Sequence, residues 1–295
     1  MDRDCPKWAT LLPEQDITTF MKIPQKFEML VQNGLVDEVV CQLMSGKEAE
    51  VYVVRSLGEL RCAKVYKDAD NRSFKNQAQY QEGRKVRNSR QARAMGKNTR
   101  YGRKEQEGAW QNAEVDALNR LAAAGVRVPQ IFNYVGGVLL MELVVDDNGN
   151  NAPRLNDVRL TGAQAREYHR AMIAQIVLML CAGLVHGDLS EYNVLVGSDG
   201  LVIIDLPQAI DAAGNNNAAG MLARDVANMT AYFGRFAPEL LATDYGREIW
   251  KLYASGELTP ETILTGRFVQ NSKPADVRGV MRDVESARLW HERNI

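Results

Sequence analysis

The stretch Leu184-Val-His-Gly-Asp-Leu-Ser-Glu-Tyr-Asn-Val-Leu-Val196, followed by Ile203-Ile-Asp205, decides the fold. It combines short apolar runs with three oxygen-bearing side chains, those of Asp188, Asn193 and Asp205. The first two lie five residues apart across a tight loop, and the third ends the next apolar run. Carboxylate and carboxamide oxygens that converge at one end of a hairpin suit Mg²⁺ and a triphosphate. The stretch therefore predicts a phosphoryl-transfer site.

Composition sets the limits within which this prediction is judged. A chain of 295 residues can form one large domain or two lobes with separate cores. Its 36 basic and 37 acidic residues give a net charge of −1, which predicts no global attraction to nucleic acid or membrane. The four cysteines form no C-x-x-C pair, so neither a metal finger nor a disulfide framework is expected. Without a signal-peptide pattern or a long apolar span, we expect a soluble, cytoplasmic protein that contacts no membrane.

A small turn early in the chain is a candidate phosphate-binding element. Two strands are predicted between Leu35 and Arg55, and the turn Ser45-Gly-Lys-Glu-Ala-Glu50 joins them. Backbone N–H groups in a glycine-containing turn can approach phosphates closely. An ordinary hairpin turn has a similar composition, so the motif is a weak signal when it stands alone.

A lysine and a glutamate supply another part of the site. The predicted strand Leu60 to Tyr66 carries Lys64 between apolar neighbours, as an edge-strand charge or as a buried cation with a partner. In the helix predicted from Asn112 to Ala124, Glu114 lies on a face that also carries leucines. Kinases use a strand lysine paired with a helix glutamate to hold the α- and β-phosphates.

Residues 70–108, between that strand and that helix, form a polar and basic segment. It contains eleven basic and four acidic residues, with interspersed aromatic side chains. Such a segment can bind RNA or an acidic partner by neutralising phosphates. It can equally be a solvated, mobile loop whose charge keeps it soluble, and the sequence leaves both interpretations open.

The second half of the chain begins after a hairpin and a polar linker. Apolar strands around Gly136-Gly137 predict the hairpin from Pro129 to Leu143. The Gly- and Asn-rich linker 145–153 is the best candidate for a domain boundary. Backbone groups of such a connector, here Met141 to Leu143, are well placed to bind a nucleotide base.

The region after the linker is predicted to be mainly helical. The predicted helices run from Thr161 to Gly183, from Ala219 to Phe236, near Glu239 to Ala254, and from Thr259 onward. Arg224 and Asp225 in the second helix are candidates to brace the catalytic loop. The pattern favours an α+β fold of two unequal lobes. The predicted parts are an N-terminal extension (1–34), an N-lobe (35–144), the linker (145–153) and a helical C-lobe (154–295).

Three motifs together resemble the RIO-type atypical serine protein kinases. They are S-G-K-E-A-E-V-Y at 45–52, H-G-D-L-S-E-Y-N at 186–193 and I-D-L-P-Q at 204–208. The resemblance extends from about Gly34 to about Phe236 and is strongest to the first RIO subfamily and its bacterial relatives. It implies a bilobal protein-kinase-like fold with a small β-rich N-lobe and a mostly helical C-lobe. It also implies that ATP binds in the cleft between the lobes with Mg²⁺ or Mn²⁺.

The resemblance also implies roles for individual residues. Asp188 would accept the proton of the attacking hydroxyl, and Asn193 and Asp205 would hold the metal. Asp205 is also a candidate for phosphorylation, since the metal-binding aspartate of related proteins can become phosphorylated. Lys64, paired with Glu114, would hold the phosphates. The other residues assigned to the nucleotide site are Ser45, Gly46, Lys47, Glu48, Val51, Met141, Glu142, Leu143 and Tyr192.

The implied activity is ATP-dependent phosphorylation of serine in a protein or in the chain itself. Gly187 stands where protein kinases have the arginine of H-R-D, Asp205-Leu-Pro207 replaces D-F-G, and no A-P-E motif follows, so the substrate stays open. One alternative is a small-molecule kinase of the aminoglycoside or choline type, which the insert Ser190-Glu-Tyr192 disfavours. Another is a nucleotide-gated ATPase module that docks ribosomal RNA or particles through residues 70–108.

Overall fold

The computed structural model describes residues 24–67 and 100–268, with side chains in the second range described from residue 112 onward. Most of the basic segment lies outside the described residues. The strands are β1 (Glu38–Ser45), β2 (Ala49–Ser56), β3 (Glu59–Tyr66), β4 (Ile131–Val135), β5 (Val138–Glu142), β6 (Leu184–Val185), β7 (Val194–Gly197), β8 (Gly200–Ile203) and β9 (Ile210–Asp211). The helices are α1 (Lys26–Gln32), α2 (Arg100–Ala123), α3 (Gly162–Cys181), α4 (Ala218–Gly234) and α5 (Tyr245–Ser255), with short 3₁₀ helices at Leu155–Asp157 and Pro238–Ala242. None of these described helices is long and apolar enough to cross a membrane.

The N-lobe is an antiparallel sheet in the order β1-β2-β3-β5-β4. Its two faces pack against different helices, because alternate side chains of a strand point to opposite faces. Ala63 and Val65 of β3 join a cluster with Phe27 and Leu30 of α1. Tyr66 joins the larger core on the other face. The predicted alternation along this strand is therefore confirmed, and α1 is part of the N-lobe rather than of a separate extension.

The larger core lies mainly in the C-lobe and continues beneath the sheet. The apolar stripe of α3 faces α4, and Met172 and Leu180 of α3 and Phe233 of α4 are fully buried. The helix α3 begins as predicted, because Thr161 and Gln164 form a capping box at its N-terminus. This core holds α4 directly behind the loop that carries Asp188.

Three of the helix predictions are wrong within the described residues. The helix α2 begins at Arg100, twelve residues before the predicted start, so the last part of the basic segment is helical. The single helix predicted near 239–254 is a 3₁₀ turn followed by α5, and the Thr243 hydroxyl donates to the Leu240 carbonyl at the break. No helix begins at Thr259, whose N–H donates to the Thr262 hydroxyl instead. In both C-lobe cases a side-chain hydrogen bond replaces a helical one.

Candidate active site

The β7–β8 hairpin brings the predicted metal ligands to one end. Asn193 comes directly before β7 and Asp205 follows shortly after β8. The two strands are antiparallel with Val194 opposite Ile203, and the Ile204 N–H donates to the Asn193 carbonyl at 3.0 Å. The convergence predicted from the sequence is therefore confirmed at the level of the backbone.

The loop that carries Asp188 is fixed from behind by α4. The buried Asp225 carboxylate accepts the Gly187 N–H at 2.7 Å and the Leu189 N–H at 3.0 Å. Arg224 donates to the Gly187 carbonyl. Gly187 has a φ of 83°, a left-handed conformation that glycine adopts without steric cost. The predicted brace by Arg224 and Asp225 is confirmed, and it holds both flanks of Asp188.

Asp188 lies on the braced loop with its side chain partly exposed and partly buried. Its backbone N–H donates to His186 Nδ1 at 3.3 Å. Because Nδ1 accepts this bond, the His186 proton lies on Nε2, which is 3.2 Å from the Ile204 carbonyl oxygen. Partial burial raises the pKa of the Asp188 carboxyl above its ordinary value. A raised pKa makes this carboxylate a better proton acceptor than a fully solvated one.

Lys64 is the centre of a buried polar network. Its Nζ lies 2.6 Å from Glu114 Oε1 and 2.9 Å from Asp205 Oδ1. Burial lowers the pKa of Lys64, but the two carboxylates outweigh it and hold the pKa above its ordinary value. Lys64 is therefore a buried cation with partners, which confirms one of the two interpretations of its sequence position.

Tyr66 belongs to the same network, although the sequence motifs did not predict a role for it. Its hydroxyl donates to Glu114 Oε2 at 2.6 Å. The available signal was its position two residues from Lys64 on the same face of β3. Glu114 therefore receives hydrogen bonds on both of its carboxylate oxygens.

Asp205 adopts an unusual backbone conformation. Its φ is 64°, and it is one of two non-glycine residues with positive φ among the described residues. This left-handed conformation costs about 1 kcal/mol or more for a non-glycine residue and concentrates at functional sites. The carboxylate is about half exposed, and the nearby Lys64 cation lowers its pKa. Asp205 is therefore ionised and accessible from the cleft.

The predicted phosphate turn joins β1 and β2. Ser45 and Lys47 are exposed. The Lys67 ammonium lies 2.9 Å from the Gly46 carbonyl oxygen and 3.2 Å from Ser45 Oγ, and it pairs with Glu50 at 3.3 Å. Lys67 was not predicted as a residue of this turn, although it directly follows β3. Glu48 lies at the end of the same turn, and its carbonyl accepts the Lys67 N–H.

The remaining predicted nucleotide contacts lie on β2, at the end of β5 and in the loop before β7. Val51 of β2 is the cross-strand partner of Lys64, and Met141 of β5 is the partner of Cys62. Leu143 is half-buried directly after β5, and Tyr192 is about half exposed in the loop between Asp188 and Asn193.

Glu142 differs from these neighbours because its carboxylate already has a partner. Arg127 approaches it with two nitrogens at 2.6 and 2.8 Å, and this hydrogen bonding lowers the pKa of Glu142. The Glu142 N–H donates to the Gln130 carbonyl. The side chain therefore stabilises the end of the N-lobe, and a nucleotide contact at this position would use the Glu142 carbonyl.

The donor set suits a magnesium ion held partly by a nucleotide. The Asn193 amide nitrogen donates to the Asp188 carbonyl at 2.8 Å, so the amide oxygen points the other way. This oxygen and the Asp205 carboxylate are hard donors of the type that Mg²⁺ prefers. Among the described residues, no group of three or more His, Cys, Asp or Glu side chains forms a metal cage. Mg²⁺ typically uses one or two protein ligands together with phosphates and water, which fits this pair.

Comparisons with known proteins identify the family of the chain. The model of the RIO domain family matches residues 50–245. A RIO-type serine/threonine-protein kinase Rio1 from Haloferax volcanii is 35% identical over 214 residues, covering 70% of this chain and 67% of the relative. The human serine/threonine-protein kinase RIO1 is 29% identical over 239 residues, covering 80% of this chain and 40% of the relative.

Solved structures show the same fold. The Rio2 kinase from Chaetomium thermophilum superimposes with a TM-score of 0.53 at 18% identity, covering 88% of this chain and 76% of that chain. The ADP/Mg²⁺-phosphoaspartate complex of the same kinase gives a TM-score of 0.50 at 18% identity, covering 89% and 75%. The bilobal, kinase-like α+β architecture is therefore confirmed. The chain spans only about 40% of the length of the human relative.

Proposed function

Because this chain belongs to the RIO domain family, we propose that it transfers the γ-phosphate of ATP to a serine hydroxyl of a protein or of the chain itself. One observation carries the proposal. A buried Lys64 bonds Glu114 and Asp205 at once, directly beside the braced loop of Asp188 and Asn193. This is the set of parts by which kinases hold and transfer a phosphoryl group.

In the proposed reaction, each of a few side chains has its own role. Lys64 neutralises charge on the phosphates, and Glu114 keeps the Lys64 ammonium in place. Asp188 accepts the proton of the attacking serine hydroxyl, in agreement with its raised pKa. When bound, Mg²⁺ would be held by Asn193 and Asp205 and would neutralise charge on the phosphates.

The remaining contacts are proposed from position. Ser45 and Lys47 would contact phosphates from the turn that also contains Gly46 and Glu48. Val51 and Tyr192 would border the nucleotide, and the backbone from Met141 to Leu143, including Glu142, would bind its base. The place of Val51 opposite Lys64 in the β2–β3 pairing supports its assignment beside the phosphates.

A phosphorylation assay with matched variants tests the proposal. Wild-type protein is incubated with labelled ATP and Mg²⁺, alone and with a generic serine-containing protein such as casein or myelin basic protein. We expect label on protein and a loss of about a hundredfold or more in Asp188→Ala, because the general base is removed. Removal of divalent metal with EDTA should abolish labelling. Equal labelling by wild type and Asp188→Ala would contradict the assigned base.

ATP hydrolysis through a phosphorylated Asp205 is a second candidate. The half-exposed Asp205 carboxylate faces the cleft, and one of the similar Rio2 structures is an ADP/Mg²⁺-phosphoaspartate complex. The chemical stability of the label separates the two candidates. Acid-stable, base-labile label indicates phosphoserine, whereas label that hydroxylamine removes indicates an acyl phosphate.

Contact of residues 70–108 with ribosomal RNA in the cytoplasm is also proposed, on the basis of the eleven basic residues in that segment. Co-sedimentation with ribosomal particles should decrease when Arg84, Arg93 and Arg103 are all changed to Ala. Unchanged co-sedimentation would remove the main support for this contact.

A further inference from the structure

Arg154 connects the two sides of the cleft, although no sequence motif includes it. Its backbone forms an isolated β-bridge with Leu195 of β7, which places it on the C-lobe. Its Nη2 lies 2.8 Å from the Sδ of Met44 at the end of β1. Met44 directly precedes Ser45, the first residue of the predicted phosphate turn. The side chain therefore reaches from the C-lobe to the mouth of the nucleotide site.

The partner of this guanidinium in the structure is a weak one. A thioether accepts hydrogen bonds poorly, and a guanidinium has five N–H donors. Within residues 24–67 and 112–268, no carboxylate lies within ion-pairing distance of the half-buried Arg154 side chain. A partly desolvated cation with so weak a partner retains most of its capacity to bind an anion.

The position of this cation relative to the site indicates which anion it would bind. Its β-bridge partner Leu195 lies two residues after Asn193, a proposed metal ligand. Arg154 thus lies between the phosphate turn on one side and the proposed metal site on the other. In a nucleotide kinase site this space belongs to the phosphate chain, and guanidinium groups match phosphate oxygens with two parallel hydrogen bonds.

We propose that Arg154 is a nucleotide-binding residue whose guanidinium leaves the Met44 sulfur and binds phosphate oxygens of ATP from the C-lobe side. This inference rests on the proposed function, because it requires a nucleotide in the cleft. It adds a third cation to the phosphate site, after Lys64 and the proposed contact from Lys47. It also predicts that nucleotide phosphates, rather than a protein contact alone, bring the two walls together at this point.

Calorimetric titration of ATP and of adenosine, each with Mg²⁺ present, tests the proposal. Arg154→Gln removes the charge and keeps a side chain of similar length. Arg159→Ala is the matched control, because Arg159 is an exposed arginine in the same segment with no role in the site. Met44→Leu removes the sulfur acceptor and leaves the guanidinium in place. Thermal unfolding of each variant verifies that it folds, and Arg154→Lys replaces Arg154→Gln if the latter does not.

We expect Arg154→Gln to weaken ATP binding about tenfold, the value of a charge-assisted hydrogen bond at a partly exposed site. Adenosine affinity should change less than about twofold, and Arg159→Ala and Met44→Leu should bind ATP as wild type does. Arg154→Lys should retain part of the ATP affinity, because lysine keeps the positive charge but cannot form two parallel hydrogen bonds to a phosphate.

Four results would overturn the inference. Unchanged ATP affinity in Arg154→Gln would show that no phosphate contact exists. Equal weakening of ATP and adenosine, or weakening by Met44→Leu to the same extent, would show a structural contact between the lobes instead. Wild-type protein that binds no ATP would overturn the proposed function together with this inference, whereas the other three results leave that function intact.

Discussion

The two walls of the cleft are built in opposite ways. On the C-lobe wall, the buried Asp225 carboxylate holds two backbone N–H groups of the loop that carries Asp188, and α4 carries Asp225 within the larger core. On the N-lobe wall, the phosphate turn is held mainly by Lys67 at its rim, and Ser45 and Lys47 are exposed. We infer that the loop that carries Asp188 is preorganised, and we expect the phosphate turn to complete its contacts when a ligand binds.

This contrast has a functional reason. A general base must be in place before the reaction, because reorganising it during the reaction adds to the barrier. A turn that covers phosphates must open to admit and release the nucleotide. Perturbing the catalytic wall should therefore affect both stability and rate, and perturbing the turn should affect nucleotide affinity alone.

The largest effect is expected from Asp225→Ala. It leaves the N–H groups of Gly187 and Leu189 without their buried acceptor, which should cost about 4 kcal/mol in the free energy of unfolding. Phosphoryl transfer should decrease about a hundredfold, because Asp188 loses its fixed position. Urea denaturation and the labelling assay measure both. Asp225→Asn keeps one acceptor oxygen and should have about half the effect on stability; a neutral outcome in both variants would show that the loop does not depend on α4.

The second prediction concerns how the free energy of unfolding depends on pH through a buried histidine of the C-lobe. His169 is buried beneath α4, its Nε2 is 3.0 Å from the Thr230 hydroxyl, and burial lowers its pKa to about 4. The folded state therefore favours neutral His169, and this stability is complete above the unfolded pKa of about 6.5 and is lost as the pH falls towards 4. Between about pH 7 and pH 5 the free energy of unfolding should decrease by about 2 kcal/mol from this group.

Urea denaturation across this pH range measures that decrease. In His169→Phe the curve of stability against pH should be flatter, because no titrating group is left at this position in the aromatic cluster with Phe233 and Tyr245. The same slope in wild type and variant would assign the pH dependence to other groups.

The third prediction tests the network that joins the two walls. Tyr66→Phe removes the hydroxyl that donates to Glu114 and should lower stability by about 1 kcal/mol. Because Lys64 keeps both carboxylate partners, ATP affinity should decrease only a fewfold. Tyr253→Phe, a change to a partly buried tyrosine outside the site, serves as the control. Equal thermal stability of the two variants would show that the Tyr66 hydrogen bond contributes nothing net.

The smallest effect is expected at the phosphate turn. Ser45→Ala and Lys47→Ala should each weaken ATP binding by less than about 1 kcal/mol, because exposed polar and charged contacts contribute little. Their thermal stabilities should match wild type, since both side chains are exposed. Calorimetry and thermal unfolding test this. A large loss of stability in either variant would contradict the contrast between the two walls.

The sequence predicted local order well where a pattern repeats. The alternation in β3, the stripe of α3 and the glycines of the β4–β5 hairpin predicted the observed elements, because each depends on neighbouring residues. Prediction failed where distant or side-chain contacts compete. The start of α2 at Arg100 and the break near Thr243 have no strong local signal, and a threonine hydrogen bond determines the second of them.

The main residues of the site could be predicted from their order and spacing in the sequence. The loop Asp188 to Asn193, the hairpin that leads to Asp205 and the pair Lys64–Glu114 follow from residue order, since strand and helix periodicities fix which side chains share a face. Only the tertiary structure revealed the Lys64–Asp205 bond, the Tyr66 hydroxyl on Glu114, the engaged Glu142 carboxylate and the reach of Arg154 to Met44. These contacts join residues from different elements, and their distances depend on how the two lobes pack. Local patterns determine which groups are available, and packing decides which of them meet.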